Sequence, residues 1–442
     1  MRRCGGAARA VAILGVLLLT AACGSRVPES EFAERSAGPP GGAAPSGAAS
    51  GEPVRVGLIA SETSPVGDAF SGPQDGARAY FAALNARGGL GGRPVEAVTC
   101  DDGGSGLGNS ECVRELVLKE KVFALVATSS LNYAGAPQVS EAGVPDIGGQ
   151  PIGAAYETYP HLYAIYGSRA PRTGGEPGWG GDLYGGTEVY RYFKREHGAR
   201  SAAVVSYNQA ASASYARSVT GGLRAEGYDV VTEQVDFTLP NFDAVAADLR
   251  ARDVDLVFDA IDTGGNAKLC QALDEAGVEL TAKVTNVQNW NSTVREDFAD
   301  AGRCRNSLWV TGSSRNYADT GHPAVRAFRD GMDRYADTET RSQWQLEGWA
   351  AAMWFADAAQ SCGAELTRGC VEDFMTRAEP YDADGLLLPT RFERLAEPPA
   401  KRRTCVSAAR WQDGANDGAG GWVSQGEMTE NCFTVPQLPY RP

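Results

Sequence analysis

Histidine is nearly missing from this chain: His161, His197 and His322 are the only three in 442 residues, and they stand in unrelated surroundings. No Cys-X-X-Cys pair accompanies them, so the ligand spacing of a zinc site is lacking and no metal is expected. No Gly-X-Ser-X-Gly elbow offers a serine nucleophile. No Gly-X-Gly-X-X-Gly opens a helix, which argues against a dinucleotide. No cofactor is expected, and no catalysis. Positive charge is also scarce, with 41 Lys and Arg against 55 Asp and Glu and a net charge of −14. Without a basic stripe, nucleic acid is not an expected partner. Beyond the first 25 residues no apolar run is long enough to span a bilayer.

What is present begins with an address. Arg2, Arg3 and Arg9, an apolar stretch over 10–19, and the small residues Ala21 and Ala22 before Cys23 have the layout of a secretory leader over 1–23. The segment Leu19-Thr20-Ala21-Ala22-Cys23 resembles the bacterial lipobox, whose cysteine thiol receives diacylglycerol, with Thr20 standing where leucine is usual. Residues 24–53 are rich in Gly, Pro, Ala and Ser and have no periodicity, the composition of a flexible spacer. An exported protein, anchored through Cys23 to the outer face of a bacterial cell membrane, is expected.

Of ten cysteines, setting aside Cys4 and Cys23 leaves eight: Cys100, Cys112, Cys270, Cys304, Cys362, Cys370, Cys405 and Cys432. An even set in an exported protein argues for disulfides. Spacing alone leaves the connectivity open. Pairing of neighbours is the expectation adopted, because each pair closes a modest loop.

The rest of the chain is organised around residues 76–102, GARAYFAALNARGGLGGRPVEAVTCDD, which follow an apolar run over 54–59. Ala77, Tyr80, Phe81 and Leu84 recur at helical spacing. Gly88 and Gly89 end the helix, and residues 95–99 read as a second strand. This is a right-handed βαβ unit, the opening of a parallel sheet. Residues 122–127 (VFALVA) form a continuous apolar run of the kind buried on both faces of a parallel sheet. After an irregular Gly/Pro stretch over 168–186 the βα pattern starts again, with strands expected over 202–206, 230–235, 254–260, 283–287 and 308–311. Helices follow over 322–335 and 344–360, then strands over 386–391 and 405–411. Asp101 and Asp102 are adjacent, but consecutive strand residues face opposite ways. They read as loop hydrogen-bond acceptors rather than an acid–base pair.

The phrase N-A-R-G-G-L-G-G-R-P-V-E followed by Asp101-Asp102 closely resembles the first βαβ unit of the leucine/isoleucine/valine-binding family of periplasmic binding proteins, type 1. The resemblance runs from about residue 54 to 411. It implies an α/β fold of two Rossmann-like lobes, each with a central parallel sheet, joined by a three-segment hinge. The implied division is 54–168 for the first lobe, 169–312 for the second, 313–385 returning to the first, and 386–442 returning to the second with a C-terminal extension. The implied function is that of a monomeric extracytoplasmic receptor. It would close on a small polar ligand, an amino acid or relative, and dock on the permease subunits of an ABC importer.

In open α/β sheets ligands bind beyond the carboxyl ends of the strands. The family's carboxylate-binding serine falls on Ser129, preceded by Thr128. The next loop places Gln150 and Ile152 where the family has backbone groups and a hydroxyl, and Ile152 lacks that hydroxyl. A family tyrosine falls on Ala211, with Tyr207 nearby as a substitute. Asp262 takes a second tyrosine position, and Gln288 lies near the ammonium-pairing glutamate. Because a buried unpaired cation is costly, Asp262 could supply the missing charge; equally, Gln150, Gln288 and Asn208 would suit a neutral polyol or amide. A serine such as Ser129 also commonly caps the helix that follows it. Two other functions stay open, a sensory protein of the same fold serving a signalling partner and an anchored cell-envelope hydrolase.

Overall fold

The computed structural model describes residues 49, 51–64, 68–150 and 152–441. The leader, Cys23 and most of the spacer lie outside them. The first lobe is built on β1 (Val54–Ala60), β2 (Val95–Asp101), β3 (Ala124–Val126), β4 (Asp146–Gly149) and β5 (Leu162–Ala164), all parallel in the order β2-β1-β3-β4-β5. The expected helix runs Gly72–Ala86 and buries Ala77, Tyr80, Phe81 and Leu84. Asn85 fixes the return, donating through Nδ2 to Val95 O and accepting from Val95 N, both at 2.8 Å. Asp101 accepts from Thr63 Oγ1 (2.6 Å) and Gly103 N (2.9 Å), while buried Asp102 accepts from Ser61 Oγ (2.6 Å) and Asn109 Nδ2 (3.0 Å). Both aspartates brace the loops at this edge of the sheet.

Beyond β6 (Leu183–Gly186), the second βα series supplies β7 (Ser201–Tyr207), β8 (Asp229–Val235), β9 (Leu256–Ala260), β10 (Ala282–Val284) and β11 (Leu308–Gly312). The remaining strands are β12 (Lys401–Cys405), β13 (Ser407–Gln412), β14 (Gly421–Ser424) and β15 (Cys432–Tyr440). The second sheet has the order β14-β13-β11-β10-β9-β7-β8, with β13 and β14 antiparallel at one edge. A third, antiparallel sheet, β12-β15-β6, joins the end of the Gly/Pro stretch to the C-terminal segment.

Two sequence expectations are corrected here. The run 405–411 is not one strand: the chain leaves the third sheet at Cys405 and enters the second at Ser407. Residues 386–391 form no strand, only single bridges, Ser314 with Leu387 and Tyr381 with Thr390. Pro389 has no N–H to give a ladder, and the amides of Leu387 and Leu388 go to Asp382 O and Ser313 O (both 2.8 Å).

Helix Gln343–Ser361 carries the chain back onto the first lobe. Its start is set by a capping box between Ser342 and Gln345. It crosses the Gly72–Ala86 helix so closely that a Cβ on Gly76 would lie 1.8 Å from Gln345 O, and one on Gly348 1.9 Å from Pro73 O. Trp349 meets Tyr80 edge-on at 5.0 Å and Phe328 at 5.9 Å. This tryptophan is therefore core, as its apolar surroundings in the sequence imply.

The four disulfides are Cys100–Cys112, Cys270–Cys304, Cys362–Cys370 and Cys405–Cys432. No helix among the described residues is long and apolar enough to cross a membrane.

Candidate functional site: a cleft walled by both lobes

Four helices begin around one cleft of about 830 Å³. From the first lobe it is lined by Ser71, Gly72, Asp75 and Leu131. From the second come Tyr207, Gln209, Ser212, Phe237, the loop 260–264, Val287 and Gln288. Thr338, Thr340, Ser342, Trp344 and Gln345 line it as well.

The second-lobe wall stands on a buried polar platform. Lys283, with no exposed surface, donates from Nζ to Asp259 Oδ2 at 2.7 Å and also to Asn266 Oδ1. Asn266 Nδ2 donates to Asp259 Oδ1 (3.0 Å), Ile261 O (3.1 Å) and Asp262 O (3.2 Å). The ion pair thereby holds the loop that follows β9. On that loop Asp262 is the N-cap of helix Thr263–Ala276, accepting from Gly265 N at 2.9 Å. Its other oxygen accepts the Tyr207 hydroxyl at 2.7 Å. Phe237 meets the Tyr207 ring edge-on at 5.1 Å and keeps 49 % of its surface open. Gln288, half-buried, gives its backbone N–H to Asn286 Oδ1 at 3.0 Å.

On the opposite wall, Asp75 lies in the first turn of its helix. Burial raises its carboxyl to about 6, helped by Glu62 and Asp337 and opposed by Arg78 and a hydrogen bond with Gln345.

Three of the seven residues expected at the site, Tyr207, Asp262 and Gln288, line this cleft, whereas Thr128, Ser129, Gln150 and Ile152 are not in its wall. Thr128 is fully buried and donates to Asp146 (3.1 Å), which also accepts from Tyr133 (2.6 Å) and Tyr156 (2.8 Å). Ser129 is fully buried and bridged to Ala60 within the sheet. Ile152 is half-buried and donates its N–H back to Gln150 O at 2.8 Å. Gln150 donates to Glu347, which also accepts from Ser314 (2.6 Å) and Tyr166 (3.2 Å). Glu347 thus links the first-lobe loop to two of the crossings between lobes, and burial raises its carboxyl above the ordinary range against those donors.

Sequence reasoning passes over Asp75, Phe237 and Trp344. An acidic residue in a first helical turn reads as an answer to the helix dipole, and aromatics more than 100 positions apart carry no signal that they meet.

The three histidines stand apart from one another. His161 pairs with Glu372 at 2.6 Å, His197 sits among Tyr192, Phe193 and Trp309, and His322 precedes helix Pro323–Tyr335. None of them lines the cleft. Among the described residues no group of His, Cys, Asp and Glu is placed to hold a metal ion. A second cavity, of about 420 Å³, lies where the third sheet meets the crossings and shares no lining residue with the cleft. Two of its arginines, Arg169 and Arg391, already share Glu393 at 3.1 and 2.6 Å.

Residues 53–416 match the sequence model of a family described as periplasmic binding protein. No curated protein matches the chain. Solved structures share the fold at low identity. The isoleucine complex of the branched-chain amino acid transporter substrate-binding protein LivJ from Streptococcus pneumoniae is 15% identical, covers 85% of this chain and 100% of its own, and has a TM-score of 0.63. An ABC transporter solute-binding protein from R. palustris in complex with benzoate is 16% identical (88% and 98% covered, TM-score 0.61). The leucine-binding protein LivK from Thermotoga maritima is 14% identical (86% and 99% covered, TM-score 0.62). With the family model matched from 53 to 416 on a two-lobed α/β fold divided by this cleft, the chain belongs to the periplasmic binding protein family.

Proposed function

We propose that this protein is an extracytoplasmic receptor that closes its two lobes on one small polar solute and delivers it to the permease of an ABC importer. The observation that carries the reading is the cleft itself, walled by Ser71 and Asp75 from one lobe and by Tyr207, Asp262 and Gln288 from the other. A solute touching both walls binds the closed form better than the open one, and that difference drives closure. Glu347, bonded to Tyr166 and Ser314, ties together the segments about which the lobes would turn. The chain has no role for covalent chemistry in this reading and acts as a monomer.

Its leader is 1–23, its lipid attachment Cys23 and its tether 24–53; the first lobe is 54–168 with 313–385, and the second 169–312 with 386–442. The tether lets the receptor reach a membrane partner while held at the cell surface.

The test is a thermal-shift screen of the mature chain with amino acids, amides, polyols and aromatic acids, followed by small-angle scattering with each hit. A binder present at 100 times its Kd adds about 2.7 kcal/mol of stability, and closure lowers the radius of gyration. A chain that no solute stabilises or compacts would not be such a receptor.

A further inference from the structure

The wall of the cleft is chemically one-sided. Among the described residues its lining includes Asp75, Asp262 and Asp297 and no lysine, arginine or histidine, although Arg78 acts on Asp75 from outside the lining. Asp75 and Asp262 stand on opposite lobes, so a ligand between them meets a carboxylate from each side. Asp262 uses one oxygen on Gly265 N and the other on the Tyr207 hydroxyl. A carboxylate has about four lone-pair sites, so roughly two remain for a donor. Asp297 is exposed and accepts the Thr293 hydroxyl at 2.6 Å. The apolar part of the wall combines the aliphatic Leu131, Ala260, Ile261 and Val287 with the aromatic Tyr207, Phe237 and Trp344, and ring faces attract cations.

The helix N-termini at the cleft pull the other way, each with roughly half a positive charge. Most of that is already answered. Asp262 caps one helix and Asp75 occupies the first turn of another, while the Ser342 hydroxyl takes the free Gln345 N–H of a third. Only Gln209, at the start of helix Ala210–Ala225, makes no side-chain cap and has no acidic residue in its first turn. A carboxylate's charge exceeds the roughly half charge of the helix end it answers, so with Asp75 ionised above a pH of about 6 the wall stays net negative. Ser129, the expected carboxylate-binding residue, is fully buried and not among the lining residues, and its hydroxyl has no hydrogen-bond partner.

We infer that the cleft selects an organic cation of net positive charge, carrying an amine or guanidinium that pairs with Asp75 and Asp262 and a carbon skeleton that lies against Tyr207, Phe237 and Trp344. This rests on the receptor reading above. A ligand with a carboxylate of its own, such as a basic amino acid, would place it at the Ala210–Ala225 N-terminus; a diamine would leave that terminus to water.

The experiment is calorimetric titration of the full mature chain with arginine, lysine, putrescine, leucine, benzoate and a hexose. Arginine, lysine or putrescine should bind while leucine, benzoate and the hexose do not. Asp262→Asn and Asp75→Asn should each weaken the cation roughly 10- to 100-fold, the worth of a charged hydrogen bond. Asparagine is itself a good N-cap, and melting curves of both variants without ligand check that they fold. Binding of leucine, benzoate or the hexose but of no cation would overturn the inference and leave the receptor reading standing. Cation binding undiminished in both variants would overturn the site. If nothing binds, both readings fall.

Discussion

Replacing Lys283 by methionine tests how the second-lobe wall of the cleft is held. Methionine keeps the unbranched length of lysine and removes its charge. What remains is the Asp259 carboxylate, buried and served by Asn266 Nδ2 at 3.0 Å without its cation at 2.7 Å. Breaking a buried pair from one side costs about 3–5 kcal/mol, because the surviving charge is left uncompensated. For a unit running from 47 to 442 each kcal/mol moves the melting temperature by little more than about 1 °C, so Lys283→Met should melt roughly 5 °C below the parent protein.

The companion variant Lys283→Met/Asp259→Leu removes both charges and should recover most of that loss. Calorimetry at neutral pH reads both. Asn266 also holds Ile261 O and Asp262 O, so the single variant should bind ligand more weakly even at temperatures where it stays folded. A single variant that melts within about 2 °C of the parent, or a double variant no more stable than the single, would refute the claim that this ion pair supports the wall.

Two further outcomes follow from charge and covalent cross-linking. Burial lifts the Asp75 carboxyl to about 6, so the native chain holds this proton more tightly than the unfolded chain does. Its contribution to stability is fully present below a pH of about 4 and is lost as pH rises through about 6. Asp75→Asn removes that dependence and, allowing for partial exposure, should gain about 2 kcal/mol relative to the parent between pH 4 and 7 in urea unfolding; a difference that does not change with pH contradicts the assignment. Cys405→Ser/Cys432→Ser opens a loop of 27 residues, worth roughly 3.5 kcal/mol by chain entropy. Hydrogen exchange should show the loss first in β12, β15 and β6, and uniform protection across both sheets would argue that the third sheet stands without its staple.

Much of the fold is legible because its signals are local. The stretch from Gly76 to Asp102 carries helix period, glycine turn and strand within one short segment, and the structure builds them in that order. The family resemblance stated on that phrase is matched by the family model and by the two-lobed fold. The third sheet was not legible, since β6 ends in Gly185 and Gly186 and pairs with residues 437–440, far along the chain.

The site divides in the same way. Tyr207 ends β7, and Asp262 and Gln288 follow β9 and β10, which puts such positions at the carboxyl edge of a sheet, where clefts form. Thr128 and Gln150 stand at equivalent places in the first lobe, yet their side chains are taken by Asp146 and Glu347, 18 and 197 residues away. Phe237, Trp344 and Asp75 come to line one cleft only in the folded chain. The sequence by itself determined the class of fold and its opening βαβ unit, because both are written in neighbouring residues. Only the tertiary structure decided which polar groups are spent on packing and which are left for a ligand, because a hydrogen-bond partner is chosen by proximity in space, not by distance along the chain.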